Sequence, residues 1–128
     1  MTIPAFLARK LYKRGSLRET ANGRFAFTLY NPLGSASIVA PPRFVINGVR
    51  HTAVEYSVVG VDPTEISEDN PFPFPKGAQI DVSFTGRLLR GANRIHLIAE
   101  TKEFGIIDML VEDREADYCE LPGASEEE

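Results

Sequence analysis

The sequence lacks tryptophan and contains one cysteine, Cys119, and two histidines among its 128 residues. A single cysteine excludes an internal disulfide and a metal site made of several thiolates, and it favours a reducing compartment. No apolar run approaches the roughly 20 residues that a membrane-spanning helix needs. The apolar stretch at residues 3–8 is too short for the core of a signal peptide. We therefore expect a cytoplasmic protein that does not associate with membranes.

Turn-forming and aromatic residues are well represented, with nine prolines, ten glycines, eight phenylalanines and four tyrosines. This composition favours short strands joined by turns, and the length is typical of one domain. The net charge of −4 is unevenly distributed, since residues 1–24 carry six basic side chains and residues 112–128 carry eight acidic ones. The basic segment has no accompanying aromatic-rich motif or phosphate-binding loop, so nucleic acid is not an expected partner. The two ends either lie close together or form separate solvated faces.

Alternating apolar and polar residues predict strands over residues 25–30, 80–88, 95–100 and 106–112. The last three follow one another with short links, so we expect them to form an antiparallel meander. Residues 54–61 are a further strand candidate, because they are bounded by turn-forming residues and are rich in valine.

The middle of the chain contains a strong turn signal, Asn47-Gly48, between two short apolar runs. Asn-Gly in this position favours a type I′ hairpin turn, because both residues tolerate a positive φ. The pair Pro41-Pro42 marks a strand boundary or an edge strand, since proline cannot donate a hydrogen bond within a central strand. We therefore expect a hairpin that begins after these prolines.

No repeat or second domain is visible in the sequence, and the N-terminal residues 3–12 fit a helix or a short strand equally well. Several short strands with proline- and glycine-rich turns predict an all-β fold, an antiparallel β-sandwich with a jelly-roll-like arrangement. We assign residues 1–118 to this single domain. Residues 119–128 are predicted to be an acidic C-terminal tail.

A proline-rich link between two predicted strands contains the most unusual segment of the sequence. It alternates proline with phenylalanine, Pro71-Phe72-Pro73-Phe74-Pro75, and is expected to be extended and polyproline-like. The two phenylalanines have no regular strand partner in this interpretation, so they either plug one end of the sandwich or present an apolar surface to a partner protein. A stiffened backbone lowers the ordering cost of binding, which suits a partner interface.

Candidate catalytic residues are few. His96 and Glu100 share one face of a predicted strand, and Asp108 lies on the next strand, so the three could form a general base or a metal site. A polar sheet face with His96 paired to a cross-strand neighbour is the simpler interpretation. No serine lies in a Gly-x-Ser-x-Gly context, and the acidic residues of the proline-rich link lack the spacing of a calcium loop. We therefore predict no catalytic residue and no metal ligand in this chain.

Several short motifs occur in an order that is typical of one protein family. The motifs are Ser16-Leu-Arg-Glu-Thr20, Gly23-Arg-Phe-Ala-Phe-Thr-Leu29, Val45-Ile-Asn-Gly-Val49, Leu89-x-Gly91-x-x-x-Ile95-x-Leu97, Thr101-x-Glu103-Phe-Gly105 and Asp113. In this order they resemble the small β subunit of the bacterial C-glycoside deglycosidases. The resemblance extends over residues 10–113.

The resemblance implies a small β-sandwich subunit bound to a larger TIM-barrel α subunit in a higher-order hetero-oligomer. In that family the complex is a lyase, which cleaves the carbon–carbon bond between a 3-oxo sugar and an aromatic aglycone by elimination. The catalytic base and a divalent metal, Mn or Mg, belong to the α subunit, so this chain is expected to hold no cofactor of its own. The proline–phenylalanine segment at residues 71–75 is then the candidate interface with the α subunit.

Two other functions remain open from the residues alone. A stand-alone carbohydrate-binding or protein-interaction module would have the same fold class, although carbohydrate modules commonly use exposed tryptophan or tyrosine, and this chain has no tryptophan. A small independent enzyme would depend on His96, Glu100 and Asp108. The accessory-subunit function is the one that we expect.

Overall fold

The computed structural model describes residues 3–20 and 23–116 of the chain. A short helix, α1 (Ala5–Ala8), and a 3-10 turn (Arg9–Leu11) open this part, and a second 3-10 turn spans Pro63–Glu65. The strands are β1 (Arg18–Thr20), β2 (Arg24–Tyr30), β3 (Ala36–Ile38), β4 (Arg43–Ile46), β5 (Val49–His51), β6 (Tyr56–Val58), β7 (Phe72–Phe74), β8 (Gln79–Thr85), β9 (Asn93–Thr101) and β10 (Gly105–Asp113). They form two antiparallel sheets with a shared apolar core, so the predicted all-β sandwich is confirmed.

The smaller sheet has the strand order β1-β2-β8-β6. The larger sheet is built around β9, which pairs along its whole length with β10 on one edge. The other edge of β9 pairs first with β4 and then, at Thr101, with β3. β5 extends the sheet beyond β4, and β7 extends it beyond β3. Because side chains alternate along each strand, each sheet has an inner face in the core and an outer face.

Phenylalanine rings from both sheets form the centre of the core. Phe27 and Phe84 of the smaller sheet stack with ring centroids 5.3 Å apart, and Phe44 of the larger sheet meets Phe84 edge-on at 5.1 Å. All three side chains are fully buried. Aromatic pairs in these geometries add about 0.5–1.5 kcal/mol beyond the burial of their area, so they help to hold the two sheets together.

The hairpin between β4 and β5 confirms the predicted turn. Asn47 has a φ of 53° and Gly48 a φ of 81°, as a type I′ turn requires. The side-chain oxygen of Asn47 also accepts a hydrogen bond from the backbone N–H of Arg94 (2.8 Å), which ties the turn to β9. Pro41 and Pro42 lie between β3 and β4, as predicted for a strand boundary.

The predicted meander of the last three strands is wrong in one respect. β9 and β10 form a hairpin, but β8 pairs with β2 and β6 in the other sheet. The link from β8 to β9 begins at Gly86, whose φ of 134° lets the chain leave the smaller sheet. The buried Asn93 side chain then accepts a hydrogen bond from the N–H of Leu89 and donates one to its carbonyl, which holds the chain as it enters the larger sheet. Alternation within a strand does not reveal such a change of sheet.

The N-terminal residues adopt both of the predicted alternatives in succession. α1 and the following 3-10 turn bury Ala8 and Leu11 against the core. Tyr12 then forms an isolated bridge with Leu29 of β2, which is the short extended segment of the second alternative. The strand predicted at residues 54–61 is shorter than expected, because only the three residues of β6 pair with β8.

The proline-rich link at residues 62–77 is more regular than predicted. Asp62 begins a 3-10 turn and accepts a hydrogen bond from the N–H of Thr64 (3.0 Å). The proline–phenylalanine segment contains β7, which pairs with β3 so that Pro73 lies opposite Ser37. Proline is tolerated there because β7 is an edge strand, where one side of the backbone needs no hydrogen-bond donor.

The basic N-terminal segment lies against the C-terminal end of β10, so it is adjacent to the first two acidic residues of the C-terminal segment, Glu112 and Asp113. The Asp113 carboxylate accepts hydrogen bonds from the Tyr12 hydroxyl (2.8 Å) and from the Gly15 N–H (3.0 Å). The Arg14 guanidinium donates to the backbone carbonyl of Glu112 (2.9 Å). Among the described residues of the two segments, hydrogen bonds and not ion pairs make the connection.

The C-terminal predictions concern residues that the structure does not describe. Cys119 and the acidic tail at residues 119–128 lie outside the described residues, and so does the domain boundary placed at residue 118. Among the residues that are described, no helix is long and apolar enough to cross a membrane.

Candidate functional site

The three residues of the candidate polar site lie on the outer face of the larger sheet. β9 and β10 pair in a register that puts Asp108 opposite Ile98 and therefore diagonal to His96. His96 Nε2 and Asp108 Oδ1 are 2.7 Å apart, and their side chains are 32% and 65% exposed. His96 thus has a cross-strand hydrogen-bond partner on an open surface.

Glu100 shares this outer face but does not join the pair. It lies opposite Ile106, and among the described residues no hydrogen bond or ion pair links it to His96. Within the same residues, no three His, Cys, Asp or Glu side chains are grouped so that they could hold a metal ion. Glu100 lines an open surface pocket of about 520 Å³ together with Ile106, Glu68 and Asp69, whereas His96 and Asp108 are not among its lining residues. The structure therefore brings His96 and Asp108 together and leaves Glu100 apart from them.

The surroundings of this pair are apolar as well as charged, which differs from the polar outer face expected of an antiparallel sheet. Ile106 is 58% exposed and Leu110 is 41% exposed, and Ile98 is half-buried on the neighbouring strand. We call the whole surface the β4–β9–β10 face. Its residues are Val39, Arg43, Val45, Arg94, His96, Ile98, Glu100, Ile106, Asp108, Leu110 and Glu112.

The outer face of the smaller sheet is polar by comparison. The Thr28 hydroxyl donates to Asp81 Oδ1 (2.7 Å), and the Arg24 guanidinium donates to Ser83 Oγ (2.9 Å) and to Thr85 Oγ1 (3.0 Å). These polar side chains satisfy one another across the strands, as expected of a solvated sheet face. The two outer faces of the sandwich therefore differ in chemistry.

A small apolar cavity lies between the two sheets. Its volume is about 50 Å³, and its walls include Phe72, Phe74 and Leu97. The Asn31 amide in the wall already donates to the carbonyls of Gly34 and Phe74, both at 2.8 Å. A cavity that binds benzene has a volume of about 150 Å³, so this one is too small for a substrate and offers that amide no ligand to bind.

The rings of the proline–phenylalanine segment line this cavity. Phe74 is buried and Phe72 is half-buried, whereas Pro71, Pro73 and Pro75 are exposed. The two rings help to fill the space between the sheets, as the plug interpretation describes. The partner interface at residues 71–75, with its two phenylalanines and three prolines, stays a prediction.

The other histidine, His51, is buried on the inner face of β5. Its ring meets Phe84 edge-on at 5.1 Å and Phe25 at 6.3 Å. Burial lowers the pKa of His51 below its ordinary value, and the charge of Glu55 partly opposes this shift. The imidazole is therefore neutral at pH 7, and it packs as a flat ring in the core.

The exposed aliphatic residues of the larger sheet are absent from the sequence-based site prediction. Ile98 occupies an outward position between His96 and Glu100, and Ile106 and Leu110 flank Asp108 on the next strand. The sequence does contain a signal for these residues, namely the alternation of inward and outward positions along β9 and β10. Apolar residues at the polar positions of a half-buried strand indicate an outer face that contacts another molecule.

Fold and surface together define a β-sandwich domain whose two outer faces differ, one being polar and the other mixed. A family model described as hydroxymethylglutaryl-CoA reductase, N-terminal domain, matches residues 7–115, which is more than half of the chain. The chain therefore belongs to this family. A comparison with curated proteins finds no match.

This membership shows that the identification as a C-glycoside deglycosidase subunit is wrong, together with the lyase activity and the accessory role in that complex. The fold explains the motifs that carried the resemblance. Asn47 and Gly48 form a hairpin turn, and in the β9–β10 turn the Thr101 hydroxyl donates to the carbonyl of Gly105 (2.8 Å). Such turns recur in unrelated sandwiches, so the motifs indicate an architecture and not an activity.

Three further expectations rested on that resemblance alone. They are the larger TIM-barrel partner, the higher-order hetero-oligomer and the Mn or Mg ion in that partner, and none of them has other support among the described residues. The predictions about nucleic acid and membranes are independent of the family, because they rest on the distribution of charge and on hydropathy.

Proposed function

We propose that this chain is a non-catalytic domain of a hydroxymethylglutaryl-CoA reductase-related protein, and that it binds and supports a separate catalytic unit. The observation that carries the proposal is the family match over residues 7–115. The shape of the molecule supports it, because the cavity between the sheets is only about 50 Å³, and the larger pocket, about 520 Å³ beside Glu100 and Ile106, is an open depression of the surface.

The chemistry of a reductase gives a reason for the non-catalytic role. Reduction of a CoA thioester needs a hydride donor, and nicotinamide cofactors are commonly held by a glycine-rich loop at the N-terminus of a helix. The described residues form one α-helix, which has only four residues, Ala5–Ala8. The exposed His96–Asp108 pair by itself holds neither a cofactor nor a thioester. Hydride transfer in this proposal therefore takes place in the catalytic unit.

A carbohydrate-binding module is less well supported by the same structure. Among the tyrosines of the described part, Tyr12 and Tyr56 are buried in the core, and Tyr30 is the one that reaches the surface. A single exposed ring does not make the aromatic platform on which such modules commonly hold a sugar. For the location we propose the cytoplasm, with the single cysteine as support.

A turnover assay with hydroxymethylglutaryl-CoA and a nicotinamide hydride donor tests the proposed function. The purified chain is assayed alone and after mixing with the hydroxymethylglutaryl-CoA reductase catalytic unit of the same organism. We expect no oxidation of the hydride donor by the chain alone. On mixing, we expect the catalytic unit to gain rate or thermal stability, because a bound domain stabilises the state that it binds.

His96→Gln and Asp108→Asn are the variants that distinguish this role from an independent enzyme. Each changes one partner of the 2.7 Å pair while it nearly conserves the size of the side chain. Oxidation of the hydride donor by the chain alone would contradict the proposal, and its loss in His96→Gln would assign catalysis to this pair. A catalytic unit whose rate and stability are the same with and without the chain would contradict it as well.

A further inference from the structure

The centre of the β4–β9–β10 face is aliphatic. Val45 and Ile98 are half-buried there, and Ile106 and Leu110 are 58% and 41% exposed. Contiguous exposed aliphatic side chains with charged neighbours are typical of a protein–protein contact and not of a solvated sheet face. We therefore expect another molecule to cover this aliphatic centre, and the charges around it indicate which molecule that is.

Charges of opposite sign flank the aliphatic centre on opposite sides. Asp108 and Glu112 lie on β10, whereas Arg43 lies on β4 and Arg50 on β5, beyond β9. Among the described residues, neither of these two arginine side chains forms an ion pair. Asp108 on one side and Arg43 on the other are therefore complementary when the face is turned over onto a second copy. The strand between them, β9, carries one charge of each sign, Arg94 and Glu100.

The register of the strands makes this complementarity specific. Asp108 and Arg43 both pair with Ile98, one from each edge of β9. A two-fold axis parallel to β9 that passes above Ile98 places β10 of one copy over β4 of the other. Each Asp108 then faces the Arg43 of the second copy, at two symmetric places in the contact.

The aliphatic residues follow the same symmetry. Leu110 and Val45 lie on either side of β9, and Ile106 and Val39 do so further along the strand. The same axis therefore brings Leu110 against Val45 and Ile106 against Val39 of the facing copy. Apolar groups on the flanking strands therefore meet apolar groups, and Asp108 meets Arg43, as an isologous interface requires. The outward residues of β9 lie under the axis, so that Arg94 and Glu100 each face the same residue of the second copy.

We infer that the β4–β9–β10 face binds a second copy of this chain, face to face, about a two-fold axis parallel to β9. Sheets that pack face to face with nearly aligned strands lie about 10 Å apart, and the dimer extends the sandwich by this packing. The inference goes beyond the proposed function, because self-association needs no catalytic unit.

Sedimentation equilibrium on the full chain tests the inference. We expect a reversible monomer–dimer equilibrium with a dissociation constant in the micromolar range, roughly 1–100 µM, as is typical of a contact of modest size. A chain that remains monomeric throughout this range overturns the inference. A monomeric chain would not change the expected result of the turnover assay, so the dimer and the proposed function are tested independently. Occupation of this face by the catalytic unit, with no dimer of the chain alone, also overturns it.

Leu110→Glu places a carboxylate in the aliphatic centre and should weaken the dimer by a factor of at least about ten. Val59→Glu is the matched control, because Val59 is an 82% exposed aliphatic side chain that follows β6 in the other sheet. The control should leave the dissociation constant unchanged. Thermal melts followed by circular dichroism check that both variants fold. Equal dissociation constants for the two folded variants would overturn the inference.

A charge exchange tests the two-fold arrangement itself. Arg43→Glu alone and Asp108→Lys alone should each weaken the dimer, because like charges then face each other across the axis. The double variant should recover the dimer, since opposite charges face each other again. Within one copy the two positions are two strands, or about 10 Å, apart, so recovery reports the contact between copies. A folded double variant that stays as weak as the single variants overturns the inference.

Discussion

The imidazole of His51 lies beside the rings of Phe25 and Phe84 in the core. Burial there lowers its pKa, because a charged ring would lose most of its hydration. The unfolded chain therefore binds a proton at this residue at a higher pH than the folded chain does. Between the ordinary value of about 6.5 and the lowered folded value, the unfolded state holds more protons, so stability rises with pH.

We predict that His51→Phe reduces this dependence on pH. The wild-type protein should lose stability as the pH falls from about 6.5 through the lowered pKa of His51. The variant keeps an aromatic ring at the position but has no group to protonate, so its free energy of unfolding should fall less over the same interval. Urea unfolding at a series of pH values measures both slopes. Identical slopes for the two proteins would show that His51 does not titrate as its burial requires.

The hydrogen bond between Tyr12 and Asp113 (2.8 Å) connects the N-terminal segment to the C-terminal end of β10. Burial, followed by the hydrogen bond to Asp113, raises the pKa of Tyr12 above its ordinary value. Tyr12→Phe removes the hydroxyl and should lower the free energy of unfolding by about 1–2 kcal/mol, because the acceptor is a carboxylate. Urea unfolding at neutral pH measures the loss.

Tyr30→Phe is the control for this prediction, because Tyr30 is an exposed tyrosine on the same strand that Tyr12 contacts. It should stay within about 0.5 kcal/mol of the wild type, as most surface substitutions do. An equal loss in both variants would show that the contact between Tyr12 and Asp113 contributes nothing specific.

Among the elements, the β4–β5 hairpin depends most directly on a local conformation. Gly48 has a φ of 81°, and a Cβ atom added there would meet no other atom within 4 Å. Gly48→Ala should therefore cost about 1–2 kcal/mol through backbone strain alone. Gly48→Asn should cost clearly less, because asparagine tolerates this region. Thermal or urea unfolding compares the two variants, and equal losses would contradict the explanation by strain.

The strands themselves could be predicted from the sequence because their signals are local. Asn47 and Gly48 specify a turn within two residues, and Phe25, Phe27 and Leu29 alternate along one strand, all facing the core. The choice of sheet is not local. β8 joins the smaller sheet and β9 the larger one, and this depends on the link that follows Gly86 and on the strands already in place.

The candidate site could be predicted only in part, for the same reason. Alternation places His96 and Glu100 on one face, but the 2.7 Å contact between His96 and Asp108 depends on the register of β9 with β10. That register is set by the turn in which the Thr101 hydroxyl bonds to the carbonyl of Gly105. The family could not be read from these motifs, because the residues that form them are those that any such hairpin requires.

At the scale of the whole molecule, the sandwich presents two outer faces of different chemistry. The smaller sheet carries a polar network in which Thr28 bonds to Asp81 and Arg24 bonds to Ser83. The larger sheet carries exposed Ile106 and Leu110 among charges. The cavity between the sheets is only about 50 Å³, so the functions that we propose use the outer surfaces of the molecule.

In the function that we propose, this member of the hydroxymethylglutaryl-CoA reductase N-terminal domain family acts by binding a catalytic unit. Titration calorimetry of that catalytic unit with this chain tests the claim most directly. We predict a saturable heat with a dissociation constant of roughly 1 µM or below, as is typical of a specific interface of standard size. Two folded proteins that give no heat at two temperatures and elute separately from a sizing column would contradict the claim.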